Sequence, residues 1–176
     1  MGQYEALEAL ADLASKDLEA QVATAEVIRQ KTESAIGLGT AALGGGYALV
    51  GLAVEKIPAA LGWPLLVLVV VAGTLNLLAL LFFVRSTLAI RTSLIVGPSP
   101  DWVREKSKDA TWTKNDLWAS LLSKFPEKSR ANDEVMKRAV DRRIAGMRLL
   151  ILAMAFHALT FVYVLGVGIA HPPSAG

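Results

Sequence analysis

Three apolar blocks constrain this chain more than any other feature. Residues 35–54, 65–84 and 149–170 contain 20, 20 and 22 residues with no Asp, Glu, Lys or Arg among them. A helix rises 1.5 Å per residue, so about 20 apolar residues cross the ~30 Å hydrocarbon layer of a bilayer. One such block fits the buried helix of a soluble protein, but three of spanning length point to a membrane. The composition agrees: 53% of the residues are hydrophobic and 19% charged, against ~25% charged in ordinary globular domains. With this much apolar surface to bury, disorder is excluded for most of the chain. The first block begins at residue 35 and no basic segment opens the chain, so a cleavable signal peptide is not expected.

Charge sets the orientation. Residues 85–148 carry 14 Lys/Arg against 8 Asp/Glu, while the loop 55–64 has only Glu55 and Lys56 and the tail 171–176 has no Lys or Arg. Arg29 and Lys31 precede the first block. Basic flanks face the cytoplasm, which puts the N-terminus inside and the C-terminus outside. Trp63 then lies at the outer interface, where aromatic belts form. The expected organisation is an N-terminal cytoplasmic helix (1–34), a two-span hairpin (35–84), a cytoplasmic helical region (85–148), a third span (149–170) and an external tail (171–176). The fold class is all-α: an integral membrane protein with three transmembrane helices in a prokaryotic inner membrane.

The N-terminal segment reads as a helix with a coiled-coil seam. Leu7, Ala14, Gln21 and Ile28 form one seven-residue series, and Ala11, Leu18 and Ala25 a second. Gln21 interrupts the seam, and Val22 partly restores its apolar face. Glu5, Glu8, Asp12, Lys16, Glu19 and Glu26 lie on the opposite face. After Gly2 no Gly or Pro intervenes before the first block, so one helix of roughly 50 residues is expected. A surface helix packed on its own chain and a self-association helix both fit this pattern.

In the segment 85–148, the second helix should run on to about Val96 and break at Gly97-Pro98. Ser99-Pro100-Asp101 has the form of a helix start for a short helix from Pro100 to about Lys108. Thr113 and Asp116 resemble a capping box opening a helix to about Lys124, with Leu117, Trp118, Leu121 and Leu122 on one face. Phe125-Pro126 is expected to end it. Asn132 or Asp133 then caps a last helix of nearly 40 residues, which passes through Arg138, Arg142, Arg143 and Arg148 into the third block.

Three groups of residues are candidates for function. Gly37, Ala41 and Gly45, spaced by four, offer a helix-packing face of the kind that brings membrane helices close; Gly44–Ala48 and Ala42–Gly46 lie beside it. Asn76 and His157 are intramembrane polar residues that should avoid lipid. His157 suits either a pore lining or a hydrogen bond to Asn76, Thr74 or Thr160 inside the bundle. The basic cluster Arg138, Arg142 and Arg143, with Arg85, Arg91 and Arg148, fits positive-inside anchoring to anionic lipid. It also fits an anion site, since guanidinium forks match phosphate oxygens. Trp102, Trp112 and Trp118 could stack a base or pack a small core.

Enzyme signatures are missing. No P-loop, nucleophile elbow or metal-ligand spacing is present, and no cofactor is expected. The chain has no Cys and only two histidines, His157 and His171, which removes thiolate and disulfide chemistry. The acidic N-terminal helix argues against a nucleic-acid polymer as partner.

The layout resembles the small membrane effectors of bacterial anti-phage signalling, the Pycsar transmembrane effectors and the related SLATT-domain group. The Pycsar-type pattern has a Lys-Ala-Ser element entering the first span. In this chain Lys31 and Ser34 stand there, with two residues between them where the pattern has one. A basic helix entering the last span matches residues 140–150, which contain Arg142 and Arg143. The resemblance implies a homo-oligomeric inner-membrane protein that disrupts the bilayer when a cyclic nucleotide binds. Two functions follow as expectations: a pore-forming effector gated from its cytoplasmic helices, or a non-catalytic scaffold docking a cytoplasmic partner.

Overall fold

The structure, a computed structural model, describes residues 2–54, 59–93, 105, 108 and 113–170. Among the described residues there are three long helices and no strand: α1 (Gly2–Val54), α2 (Ala59–Ser93) and α3 (Lys114–Ala170). The all-α expectation is borne out. At 53 residues, α1 runs unbroken from the acidic N-terminal segment through the first apolar block, as the absence of a breaker after Gly2 implied.

Three boundaries differ from the sequence reading. Phe125-Pro126 does not end a helix, because α3 passes through Pro126. Asn132 and Asp133 therefore cap nothing. Proline in a helix interior removes one i→i−4 bond and costs about 3 kcal/mol. Long-range bonds just after the proline help to offset that cost: Ser129 and Asn132 both bond to Gln21 of α1. The loop placed at 55–64 is also shorter, since α2 starts at Ala59 and includes Trp63 and Pro64. The described part of α2 ends at Ser93. The breaker Gly97-Pro98, the N-cap Ser99 and the tail 171–176 lie outside the described residues, as does most of the short helix expected over 100–108. From that helix, the Lys108 N–H donates to the Glu105 carbonyl at 3.3 Å.

The start of α3 matches its sequence signature. The Thr113 N–H donates to Asp116 Oδ2 at 2.9 Å, and the Asp116 N–H donates to Thr113 Oγ1 at 3.3 Å. This is a reciprocal capping box, with Asp in the place of the usual Glu or Gln.

The chain packs as two units. The first comprises Met1–Gln30 and Leu88–Ala139. Its buried positions include Ala11, Ala25 and Ile28 of α1, Ile90 of α2 and Ala139 of α3. Gln21, the polar interruption of the seam, is also buried. Its Nε2 donates to Ser129 Oγ at 2.7 Å and to Asp17 Oδ2 at 3.3 Å, and its Oε1 accepts from Asn132 Nδ2 at 3.1 Å. A satisfied polar layer of this kind fixes the register of two helices.

The second unit comprises Lys31–Thr87 and Val140–Gly176. Its core is Ala35, Ala79, Phe83 and Leu150, with Ile36, Leu80, Met147 and Leu149 packed against it. Small residues admit the large ones. A Cβ on Gly146 would lie 2.7 Å from Phe83 Cε1 and 3.2 Å from the Ala79 carbonyl oxygen, so only glycine fits.

Buried residues recur every seven positions on all three helices. On α3 the row is Asn132, Ala139, Gly146, Ala153, Thr160 and Val167. On α2 it is Leu65, Ala72, Ala79 and Ser86, joined four residues after the last three by Asn76, Phe83 and Ile90. A repeat of seven keeps one narrow seam facing its neighbours along a long helix.

α2 and α3 are long and apolar enough to cross a membrane, over Gly62–Ser93 and Leu122–Val167. Within the chain, only 28% of the most apolar stretch of the first and 17% of that of the second are buried. The core helix of a soluble protein would be mostly covered. These helices instead expose Leu77, Leu81, Val84, Ile151, Leu159 and Val162, a surface suited to lipid rather than water.

Candidate functional site

The second unit contains the polar groups singled out in the apolar blocks. Asn76 is completely buried, and its Oδ1 and Nδ2 have no hydrogen-bond partner among the described residues. It lies against α1 at Gly39, where a Cβ would meet Asn76 Oδ1 at 3.2 Å and Leu80 Cδ2 at 3.0 Å. His157 is half-buried, and its Nε2 also has no partner among the described residues. Its ring lies on the backbone of Gly46, where a Cβ would come within 2.6 Å of Nδ1 and Cε1. The hydrogen bond from His157 to Asn76, Thr74 or Thr160 is therefore not formed among the described residues. Thr160 is satisfied locally, by donating to the Phe156 carbonyl at 2.8 Å. Thr40 and Thr87 do the same with Ile36 and Phe83. This i−4 bond lets a hydroxyl lie in an apolar helix without a partner on another helix.

The glycine-rich face divides in two. Gly39 and Gly46 receive side chains from α2 and α3, and Gly73 of α2 receives the Tyr47 hydroxyl at 2.7 Å from a built Cβ. By contrast, Gly37, Ala41 and Gly45 are exposed, and a Cβ at Gly37, Gly44 or Gly45 would meet nothing within 4 Å. The predicted packing face is thus left open by this chain's own helices among the described residues. Of the glycines that do pack, Gly46 belongs to a flanking pair that the spacing named, whereas Gly39 and Gly73 were not singled out. The signal was there: Gly39 lies on the seven-residue series of Ala11, Leu18 and Ala25, extended through Thr32.

The basic cluster is split among different acceptors. Arg138 is exposed and pairs with Glu134 at 2.8 Å. Arg142, one turn further on, donates from Nη1 to the Arg85 backbone carbonyl at 3.3 Å. Arg143 is half-buried, and its Nε has no partner among the described residues. Neither Arg142 nor Arg143 forms an ion pair among those residues, whereas Arg138 already has a carboxylate. Arg142, which has no carboxylate partner among the described residues, therefore has more donor capacity left for an anion than Arg138. Of the tryptophans between residues 85 and 148, Trp102 and Trp112 lie outside the described residues, as does the side chain of Trp118.

Sequence reasoning missed the Gln21–Ser129–Asn132 layer. Gln21 was visible as a flaw in the seam, but its partners lie about a hundred positions away and nothing local marks them. No known family model, curated protein or solved structure matches this chain.

Proposed function

We propose that the protein is a non-catalytic effector of the bacterial inner membrane, which perturbs the bilayer when its cytoplasmic helices receive a signal. In this reading the first apolar block on α1 spans the membrane together with α2 and α3. The N-terminus and residues 85–148 are cytoplasmic, and the C-terminus is external. Copies of the chain assemble in the lipid.

The observation that supports this reading most is the continuity of α1 and α3. Each is a single helix, of 53 and 57 residues, that joins a charge-rich stretch to an apolar one. A signal acting on the charged end acts on the same element that meets lipid. The resemblance to anti-phage membrane effectors suggests a cyclic nucleotide as the signal, and the donors of Arg142 and Arg143 suit its phosphate.

The test is dye release from vesicles of fixed lipid composition carrying the full chain, with and without cyclic mono- and dinucleotides. Ligand-dependent release by the wild type, weakened in Arg142→Lys at equal insertion, is the expected result. Lysine keeps the charge that anionic lipid needs but loses the fork. Loss of one charged hydrogen bond, worth roughly 1.5–3 kcal/mol, corresponds to about a 10- to 150-fold weaker response. Vesicles that stay tight under every condition would overturn the effector reading and favour a membrane scaffold.

A further inference from the structure

In the second unit, α1 receives two polar side chains on two glycines. Asn76 of α2 lies over Gly39, and His157 of α3 lies over Gly46. The glycines are seven residues apart, about 10 Å at 1.5 Å per residue, or a third of the ~30 Å hydrocarbon layer. Glycine has no side chain, and inside a helix its N–H and C=O are committed to the helix's own bonds. Each polar side chain therefore ends on a surface that cannot satisfy it. Asn76 is completely buried, and neither its Oδ1 nor its Nδ2 is bonded among the described residues; His157 Nε2 is buried and unbonded there too. Other buried polar groups are satisfied. Thr160 bonds within its own helix, and Gln21 and Asn132 of the first unit bond to each other. The contact of α2 with α3 is apolar where Phe83 and Ala79 meet Gly146. The orphaned groups thus belong to the seating of α1.

An orphaned amide or imidazole nitrogen costs free energy wherever its surroundings are apolar. Moving α1 aside into lipid leaves both groups unsatisfied, since hydrocarbon offers no hydrogen bond. Asn76 and His157 lie two turns of α1 apart and cannot bond each other without a shift of that size. Water satisfies both, because the amide donates and accepts and the ring nitrogen takes one bond. We propose that α1 is the mobile helix of this unit: water enters between it and the α2–α3 pair along the Gly39–Gly46 face, solvating Asn76 and His157. The inference rests on the proposed effector function and on α1 spanning the membrane. It names the helix that moves and the face that becomes wet, and in the effector reading this face is the route through the bilayer. Phe83, seated on Gly146, keeps α2 on α3 while α1 separates.

The chain has no Cys, so a single cysteine can report water without background. Ala42 lies on α1 between the two glycines and is half-buried, whereas Ala41 beside it is exposed. The full chain as Ala42→Cys or Ala41→Cys is placed in vesicles and treated with a membrane-impermeant methanethiosulfonate. The reactive species is the thiolate, and a thiol in hydrocarbon stays protonated, so the rate reports hydration. Ala42→Cys is expected to react at least ten times faster than Ala41→Cys. Adding Asn76→Leu, which keeps the branched shape without the amide, or His157→Phe should slow Ala42→Cys at least tenfold. Adding Thr160→Val, where the hydroxyl is already satisfied, should leave the rate unchanged. A misfolded variant would gain reactivity, so it cannot imitate the slowing. Equal rates at 41 and 42, no slowing by Asn76→Leu or by His157→Phe, or equal slowing by all three substitutions would each overturn the proposal. Dye release by the wild type separates the two readings. Release with equal rates at 41 and 42 removes the hydrated face and keeps the effector. The expected rates without release remove the effector and keep the hydrated face.

Discussion

At the scale of the residue, glycines with the same composition signal have opposite roles. Gly146 is buried against Phe83 and the Ala79 backbone, and a methyl group there has no room. Replacing it by Ala forces a shift costing typically about 1–3 kcal/mol. Gly37 is exposed with nothing within 4 Å of a Cβ. Gly146→Ala is therefore expected to lower the thermal midpoint in detergent, measured by circular dichroism, while Gly37→Ala leaves it unchanged or raises it slightly, because Ala favours helix over Gly. Equal effects would contradict the packing described for Phe83. Gln21 offers a second contrast. Gln21→Leu leaves the buried Asn132 Nδ2 without that acceptor, an expected loss of about 1–3 kcal/mol. Changing both residues to Leu removes the amide together with its acceptor. The double variant should be less destabilised than the sum of the singles, and strict additivity would exclude the coupling. The sequence marked Gln21 as an imperfection. Only the long-range pairing shows that a polar residue in this seam has its complement on α3.

At the scale of the element, the capping box makes a claim about acid. The Asp116 carboxylate accepts from the Thr113 hydroxyl and the Thr113 backbone N–H, and these bonds hold its pKa below the ordinary Asp value. A depressed folded value means the stabilisation is present above the unfolded Asp value and is lost as pH falls through the folded one. Fraying of the start of α3 should thus appear only in acid. In Asp116→Asn it should be present already at neutral pH, with little further dependence on pH. Amide hydrogen exchange at residues 113–117 reads this directly, and a wild type that frays at neutral pH would contradict it. Such local chemistry was legible: Thr113 and Asp116 are three apart and need no knowledge of the rest of the chain. The unbroken passage of α3 through Pro126 was not. Proline is a local stop signal, and what overrides it, Ser129 and Asn132 bonded to Gln21, is contributed by a helix more than a hundred residues earlier. The two strongest apolar blocks were legible because length and composition alone define them. The seven-residue burial on α2 was obscured, since nearly every face of that helix is apolar and periodicity has nothing to contrast with.

At the scale of the whole molecule, the proposed orientation rests on where the cations are, independently of any ligand. Residues 85–148 carry 14 Lys/Arg, and Lys/Arg within roughly 15–20 residues of a span is retained on the cytoplasmic side. Arg85, Arg91, Arg142 and Arg148 all fall within that reach of α2 or α3's apolar stretches, and Arg29 and Lys31 lie just before the first. The segments 55–64 and 171–176 together hold a single Lys, Lys56. With three spans, only an inside N-terminus puts every basic flank on one side. With two spans, over α2 and α3 alone, residues 85–148 stay inside but residues 1–34 move outside with the C-terminus. Reporters separate these cases. One inserted at Ser107 should read as cytoplasmic and one fused to Gly176 as external in both. One fused to Met1 should read as cytoplasmic only if residues 35–54 cross the bilayer. An external reading at Met1 would remove residues 35–54 as a span and leave two. A cytoplasmic reading at Gly176 would reverse the orientation argued from the charges.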